Sequence, residues 1–219
     1  MTIKAKMIVI DGVDGAGKGL QSKNLYAAMQ KANLPVILTR EPGGSAGAEE
    51  IRRLLVEGDP NKWDAMTELL LVYAARRSHL CHTVWPALEQ GTWVICDRFA
   101  DSSRAFQGVA GGLGLDLVNT MHRLVVGDFN PDLTLILDVA PSVSLARAKA
   151  RGGHENRFEQ KGADYHDQVR AAFLQCAKLH PLTHSVIDAS LSPEQVTQAM
   201  LLQINQRLGL ELGIHSCNL

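Results

Sequence analysis

Apolar residues follow two patterns along this chain. Short, nearly unbroken apolar runs occupy 6–11, 35–39, 93–96, 133–138 and 185–188. Between them, over 18–32, 46–57, 64–90, 115–126, 141–151, 163–179 and 193–208, apolar positions recur every three to four residues. The first pattern suits strands covered on both faces, the second amphipathic helices. Strands alternating with helices predict an α/β fold: a five-stranded parallel sheet with helices on both faces, in three layers. In such sheets ligands sit beyond the carboxyl ends of the strands. Those ends carry Asp11, Thr39-Arg40-Glu41, Asp97-Arg98 and Asp138, so polar chemistry gathers at one edge. Neither a repeat nor a linker interrupts the alternation, which predicts one domain over 1–208. Residues 209–219 have weak periodicity and read as a loose C-terminal extension.

Composition narrows the function. The chain has 219 residues, 46% apolar and 21% charged, which is globular and large enough for a substantial core. A net charge of −1 gives no bulk electrostatic case for nucleic acid or for a membrane surface. There is no stretch of transmembrane length and no signal-peptide layout at the N-terminus. The cysteines Cys81, Cys96, Cys176 and Cys217 form no C-x-x-C pair, which suits a reducing compartment, and the chain reads as cytoplasmic. His79-Leu80-Cys81-His82 lies inside a helical pattern without a second ligand pair, so it reads as a helix with two partly exposed histidines.

Local chemistry changes the picture at the end of the first apolar run. Gly12-Val13-Asp14-Gly15-Ala16-Gly17-Lys18 follows it directly and opens a helical pattern. This is a phosphate-cradling P-loop. Glycines let consecutive N–H groups face inward, the helix N-terminus adds positive dipole, and Lys18 adds a full charge. The loop implies a nucleoside triphosphate, ATP, held by residues 12 to 19. One position departs from the pattern: Gly19 stands where a Ser or Thr hydroxyl normally holds Mg²⁺. Asp97, at the end of another apolar run, is the candidate metal carboxylate, and Arg98 beside it can meet a phosphate with its planar fork. Read alone, the Asp97-Arg98 pair is equally a strand-end salt bridge.

The run Asp97-Arg98-Phe99-Ala100-Asp101-Ser102-Ser103-Arg104-Ala105-Phe106-Gln107-Gly108, together with Thr39-Arg40-Glu41-Pro42-Gly43-Gly44 and the P-loop, resembles the thymidylate kinases. The resemblance continues through Tyr73-Ala74-Ala75-Arg76, Asn130-Pro131-Asp132-Leu133-Thr134 and Arg157-Phe158-Glu159-Gln160, leaving only the tail unmatched. It implies a P-loop NTPase fold and transfer of the ATP γ-phosphoryl group to dTMP. It implies that Lys18 reaches the transferred group and that Asp14 lies near the acceptor sugar and the metal. Arg40, Arg52 and Arg98 would clamp the acceptor phosphate, beside Pro42. Arg76 would read a thymine oxygen, Ser102 and Gln107 would wall the base and sugar, and Phe106 would crowd the ribose 2′ carbon. Many relatives stack a Phe on thymine where this chain has Val72, so Tyr73 on the same helix is the expected stacking ring. Residues of about 147–160 would form a lid over ATP. Gly15 stands where some members carry a catalytic arginine, so Arg151 and Arg157 in the lid are expected to stabilise the transition state, with Arg147 more structural. Relatives pair as homodimers through helices, and the 64–90 pattern offers a face for that.

Two alternatives stay open on the sequence. One is a kinase for another nucleotide or nucleoside. The other is a nucleotide-binding protein with impaired catalysis, suggested by Gly19. If catalysis is intact, a water takes the place of the missing hydroxyl, since Mg²⁺ keeps several waters readily.

Overall fold

The structure, a computed structural model, describes residues 4–59, 61–151 and 161–213, with Arg151 described by its backbone alone. Its strands are β1 (Met7–Gly12), β2 (Val36–Arg40), β3 (Trp93–Asp97), β4 (Leu133–Asp138) and β5 (His184–Asp188). They form one parallel sheet in the order β2-β3-β1-β4-β5. The helices are α1 (Lys18–Lys31), α2 (Ala46–Val56), α3 (Ala65–His79), α4 (Trp85–Glu89), α5 (Ala100–Ser103), α6 (Leu115–Val126), α7 (Pro141–Arg151), α8 (Ala163–Leu179) and α9 (Pro193–Leu208).

Period-two alternation on the central strands splits the core into two clusters, one per face of the sheet. Ile8 and Ile10 of β1 join Leu25 and Met29 of α1, Phe173 of α8 and Ile204 of α9. Met7 and Val9 join Leu69 and Tyr73 of α3 and Val118 of α6. Burying each such side chain contributes about 1.5–3 kcal/mol before the entropy of ordering it. The expectation that every strand is covered on both faces holds for β1, β3 and β4 only. β2 and β5 are the sheet edges, and Leu38 and Val186 on them are exposed.

Register aligns the strand ends that matter. Arg40 lies opposite Asp97, and Asp97 opposite Ile10, just before the P-loop. Three chain segments distant in sequence thus reach one edge of the sheet side by side.

The helical pattern at 64–90 is not one uninterrupted α-helix. Asp64 caps α3 by accepting from Thr67 N at 2.9 Å, and a π-turn at Leu80–Val84 then separates α3 from α4. The cause is Pro86, near the start of α4. Proline cannot donate to the preceding turn, and its ring crowds the carbonyl four residues back. The wider turn accommodates it: Trp85 N donates to Leu80 O, five residues back. A second π-turn, Arg104–Val109, follows α5. Of the 209–219 segment, 214–219 lie outside the described residues, and 209–213 differ from expectation. Gly209 closes α9 at φ 68°, and Leu210 and Leu212 are buried in the main core. Asn205 fixes Leu212 by donating to its carbonyl at 3.0 Å and accepting its N–H at 2.8 Å. Residues 209–213 are therefore packed rather than loose.

Candidate active site

The P-loop turns through Gly15 at φ 80° and Gly17 at φ 95°, a region that side-chain-bearing residues rarely enter, and delivers the N-terminus of α1. Lys18 arches back over the loop, its Nζ donating to Gly12 O at 3.1 Å and Val13 O at 2.8 Å. Burial, reinforced by Arg98, pulls its pKa down to about 8. Gly15 is required for a second reason: a β-carbon there would overlap the Ser144 carbonyl of α7. The helix that leads into the expected lid therefore packs directly on the loop glycine, leaving no room for an arginine at position 15. On the same helix, Arg147 Nη1 donates to Ala189 O at 2.8 Å, a structural tie. The Arg151 side chain and Arg157, the expected catalytic pair, lie outside the described residues.

Arg98 is the centre of the site. Its backbone sits at φ 73°, a left-handed conformation unusual for a non-glycine residue and held only where surroundings over-determine it. Arg98 N donates to Ile10 O at 3.0 Å. Its Nη1 donates to Gly12 O and Ser102 Oγ at 3.0 Å each, and its Nη2 donates to Asp14 Oδ1. The guanidinium also stands 5.1 Å from the Phe106 ring centroid. Burial works to raise the Asp14 pKa, but Arg98 and Lys18 outweigh it and hold Asp14 ionised.

Beneath Arg98 lies Asp11, a residue that the sequence marked only as a strand end. Its buried carboxylate accepts from Phe99 N and Ser102 N at 3.2 Å each, from Ser102 Oγ at 2.8 Å and from Gly12 N at 2.9 Å. It thereby ties the start of α5 to the P-loop. Burial pushes its pKa up to about 6, against the pull of Arg98.

Position 19 lies in the first turn of α1, and Gly19 is not among the left-handed glycines. A β-carbon there would have Asp97 Oδ2 as its neighbour, at 3.7 Å. The missing hydroxyl would therefore have faced the candidate metal carboxylate.

On the acceptor side, Arg40 is exposed and donates to Glu49 Oε2 at 3.1 Å, while Arg52 Nη1 donates to Pro42 O at 2.8 Å across a cis Glu41–Pro42 bond. Arg76 is buried. It donates from Nε to Glu41 Oε2 at 2.7 Å and from Nη2 to Phe99 O at 3.0 Å, and both terminal nitrogens lie 3.1 Å from Ser103 Oγ. Its guanidinium also covers Tyr73 and Phe99, at 4.5 and 5.1 Å from their ring centroids. Tyr73 is corrected: α3 turns this residue toward the sheet and α6, so its ring is core, with its hydroxyl 3.4 Å from Val118 O, and is not available to stack on a base. Phe106 packs behind Arg98 against Phe173, and Gln107 is buried with its amide 3.3 Å from Glu68 Oε2.

His79 is also corrected. It is fully buried, whereas His82 is exposed. Its position three residues after Arg76, on the same helix face, was the available signal that it belongs with that arginine. Asp101 pairs with His184 Nε2 of β5 at 2.6 Å and with Arg104 at 2.8 Å, an anchor for α5 that no local pattern announced.

A family model described as Thymidylate kinase matches residues 10–200. The chain is 46% identical over 203 residues to a thymidylate kinase of Ruegeria pomeroyi, covering 91% of this chain and 96% of that one. It is 47% identical over 203 residues to one of Caulobacter vibrioides, covering 93% and 97%. The crystal structure of thymidylate kinase from Ehrlichia chaffeensis aligns with a TM-score of 0.76 at 31% identity, over 91% of this chain and 98% of that one.

Proposed function

The chain belongs to the thymidylate kinase family, and on that premise we propose which of its residues carry the transfer of the ATP γ-phosphoryl group to dTMP, giving dTDP and ADP. It is an ATP:dTMP phosphotransferase; its relatives lend no support to a nucleotide-binding protein with impaired catalysis or to a kinase for another acceptor. The observation that carries the residue assignment is the contact of Arg98 with the P-loop through Gly12 O and Asp14. An arginine held in a left-handed backbone against the donor loop supports a role on an acceptor phosphate, where the donor phosphates would end.

Phosphoryl transfer asks little covalent chemistry of a protein, so positioning and neutralisation of charge dominate. The loop N–H groups of residues 15–19 and the α1 dipole hold the ATP phosphates. Lys18, now bonded to two loop carbonyls, exchanges them for phosphate oxygens, and the negative charge restores its proton affinity. Arg98, Arg40 and Arg52 hold the acceptor phosphate in line. Asp14 fixes Arg98 and faces the acceptor sugar. Phe106, Gln107 and Ser102 line the nucleoside side, with Val72, half-buried on α3, rather than Tyr73 toward the base; Arg76, buried on Glu41, Ser103 and Phe99 O, would exchange one of those partners to read a thymine oxygen. Arg151 and Arg157 are assigned to the lid.

Mg²⁺ fits this donor set, because Gly19 leaves open the space in front of the Asp97 carboxylate and a metal-bound water can occupy it. When bound, the ion neutralises developing charge on the phosphate oxygens. Asp97 would hold it, directly or through water.

The functional unit is assigned as a cytoplasmic homodimer. Supporting this are exposed apolar side chains on packed helices: Leu54 on α2, Met66 and Leu70 on α3, Leu117 and Leu124 on α6. Among the described residues no helix is long and apolar enough to cross a membrane.

A coupled assay with ATP, Mg²⁺ and a panel of monophosphates tests the reading. One methyl in an apolar pocket is worth about 1–3 kcal/mol, so dUMP should turn over roughly 10- to 200-fold less efficiently than dTMP. Ribonucleotides should be poorer still, and equal turnover of CMP or GMP would overturn the assignment.

A further inference from the structure

We infer that His79 is a positioning residue for the acceptor-phosphate clamp, holding Arg40 in place through both of its chain neighbours. The inference rests on the assignment of Arg40 to that clamp. His79 Nε2 lies 2.7 Å from Thr39 Oγ1, and Nδ1 lies 3.1 Å from Glu41 Oε1. One ring, wholly buried, therefore spans the two residues on either side of Arg40.

The chemistry fixes the direction of the Glu41 bond. Burial opposes ionisation of Glu41, but Arg76 outweighs it and keeps the carboxylate charged. An ionised carboxylate only accepts, so Nδ1–H must donate to it. Nε2 is left facing the Thr39 hydroxyl, a group that can donate or accept. The other Glu41 oxygen takes Arg76 Nε at 2.7 Å, and Arg76 continues to Phe99 O, the residue after Arg98. A continuous polar chain thus runs from the end of β2, through α3, to the segment that carries Arg98. It connects two arginines assigned to the same phosphate and touches neither guanidinium.

The same ring also seats the glycine turn. Gly44 has φ 83°, and a β-carbon there would approach two atoms of the His79 ring to 2.5 Å and overlap the Thr39 hydroxyl. Thr83, in the π-turn that begins one residue after His79, donates to Gly44 O at 2.6 Å. His79 at the end of α3 and Thr83 in the turn that follows it thus both hold the segment from Thr39 to Gly44. Glu49 secures the other side, accepting Gly44 N at 2.9 Å and Arg40 Nη2 at 3.1 Å. Arg52 is tied to the same loop through Pro42 O. With both neighbours held, the exposed Arg40 side chain searches from a fixed base.

The test separates positioning from simple stability. His79→Asn keeps a donor near Nδ1 for Glu41 and loses the Thr39 bond. Thr39→Val loses that same bond without touching the ring. His79→Leu loses both. Losing a well-placed charged hydrogen bond to the acceptor phosphate weakens its binding about ten- to a hundredfold. His79→Leu should therefore raise the KM for dTMP about ten- to a hundredfold while the KM for ATP stays within about twofold. His79→Asn and Thr39→Val should each give a smaller rise, and combining them should add nothing, because both remove one bond. If His79→Leu does not fold, the other two variants carry the test. Variants that lower Tm but leave the KM for dTMP unchanged, or raise both KM values equally, would overturn the inference. Arg40→Ala is measured alongside. If it raises the KM for dTMP and the His79 and Thr39 variants do not, the inference fails alone; if Arg40→Ala leaves that KM unchanged, the clamp assignment fails and the inference with it.

Discussion

Restoring a hydroxyl at position 19 should tighten Mg²⁺ use without harming the fold. Position 19 lies in α1, it is not a left-handed glycine, and its β-carbon would meet only Asp97 Oδ2, at an ordinary 3.7 Å. Gly19→Ser therefore fits, and serine is better than glycine in a helix by roughly 0.5 kcal/mol. In a chain of this size that raises Tm by about 1–2 °C. The metal effect is separate. A hydroxyl ligand would replace a water that does the same job, so the gain is the water's immobilisation cost, about 0–2 kcal/mol. A value near the middle lowers the half-saturating Mg²⁺ concentration by about three- to tenfold. Asp97→Asn should move it the other way, because it removes a charge that favours the ion. The assay is initial rate against free Mg²⁺ at saturating ATP and dTMP, with Tm measured on the nucleotide-free protein. A Gly19→Ser variant that gains the Tm increment yet keeps the parent's Mg²⁺ dependence would refute the reasoning, since folding could not then be blamed.

Arg98→Ala should lower kcat/KM for dTMP about 10²- to 10³-fold. Arg104→Ala should chiefly cost stability, about 1–3 kcal/mol read as a lower Tm, because Arg104 pairs with buried Asp101 and with Asn119; similar kinetic losses in steady-state assays of the two variants would contradict this division. Asp11 titrates near 6 when folded, above its ordinary 3.8, so the stability it contributes is fully present below about pH 4 and is lost as pH rises through 6. Carbon-13 NMR of labelled aspartate should show one carboxyl with a midpoint near 6 that disappears in Asp11→Asn, and a parent protein whose carboxyls all titrate at or below about 4 would disprove the burial argument. Leu124→Glu should convert a dimer to a monomer by light scattering, and a parent protein already monomeric at micromolar concentration would remove the interface.

The glycine loop, Lys18 and the strand–helix alternation were legible because each is set by interactions within a few residues: backbone freedom, helix dipole, period two against period 3.6. The Asp97-Arg98 pair was legible as chemistry but not as geometry. The sequence left it balanced between a salt bridge and a phosphate site, and the fold pairs Arg98 with Asp14 rather than Asp97 and sets it against the loop at Gly12 O. Tyr73 shows the limit most clearly. Helical spacing puts it near the face of Arg76, but which way that face turns depends on how α3 packs against the sheet and α6, and packing sent the ring into the core. Leu210 and Leu212 were misread for the same reason, since two apolar residues after a glycine carry no periodicity and acquire meaning only from the core they close.

The sequence by itself determined the class of fold, the glycine loop and the family, because those are encoded in short runs whose conformations are local. Tertiary structure alone decided who holds whom. Asp11 reaches Ser102, Thr39 reaches His79, and Asp101 reaches His184, partners separated by 91, 40 and 83 positions. The physical reason lies in parallel sheet register, which sets strand ends from distant segments side by side, and in burial, which makes it costly for a polar group brought there to lack a partner.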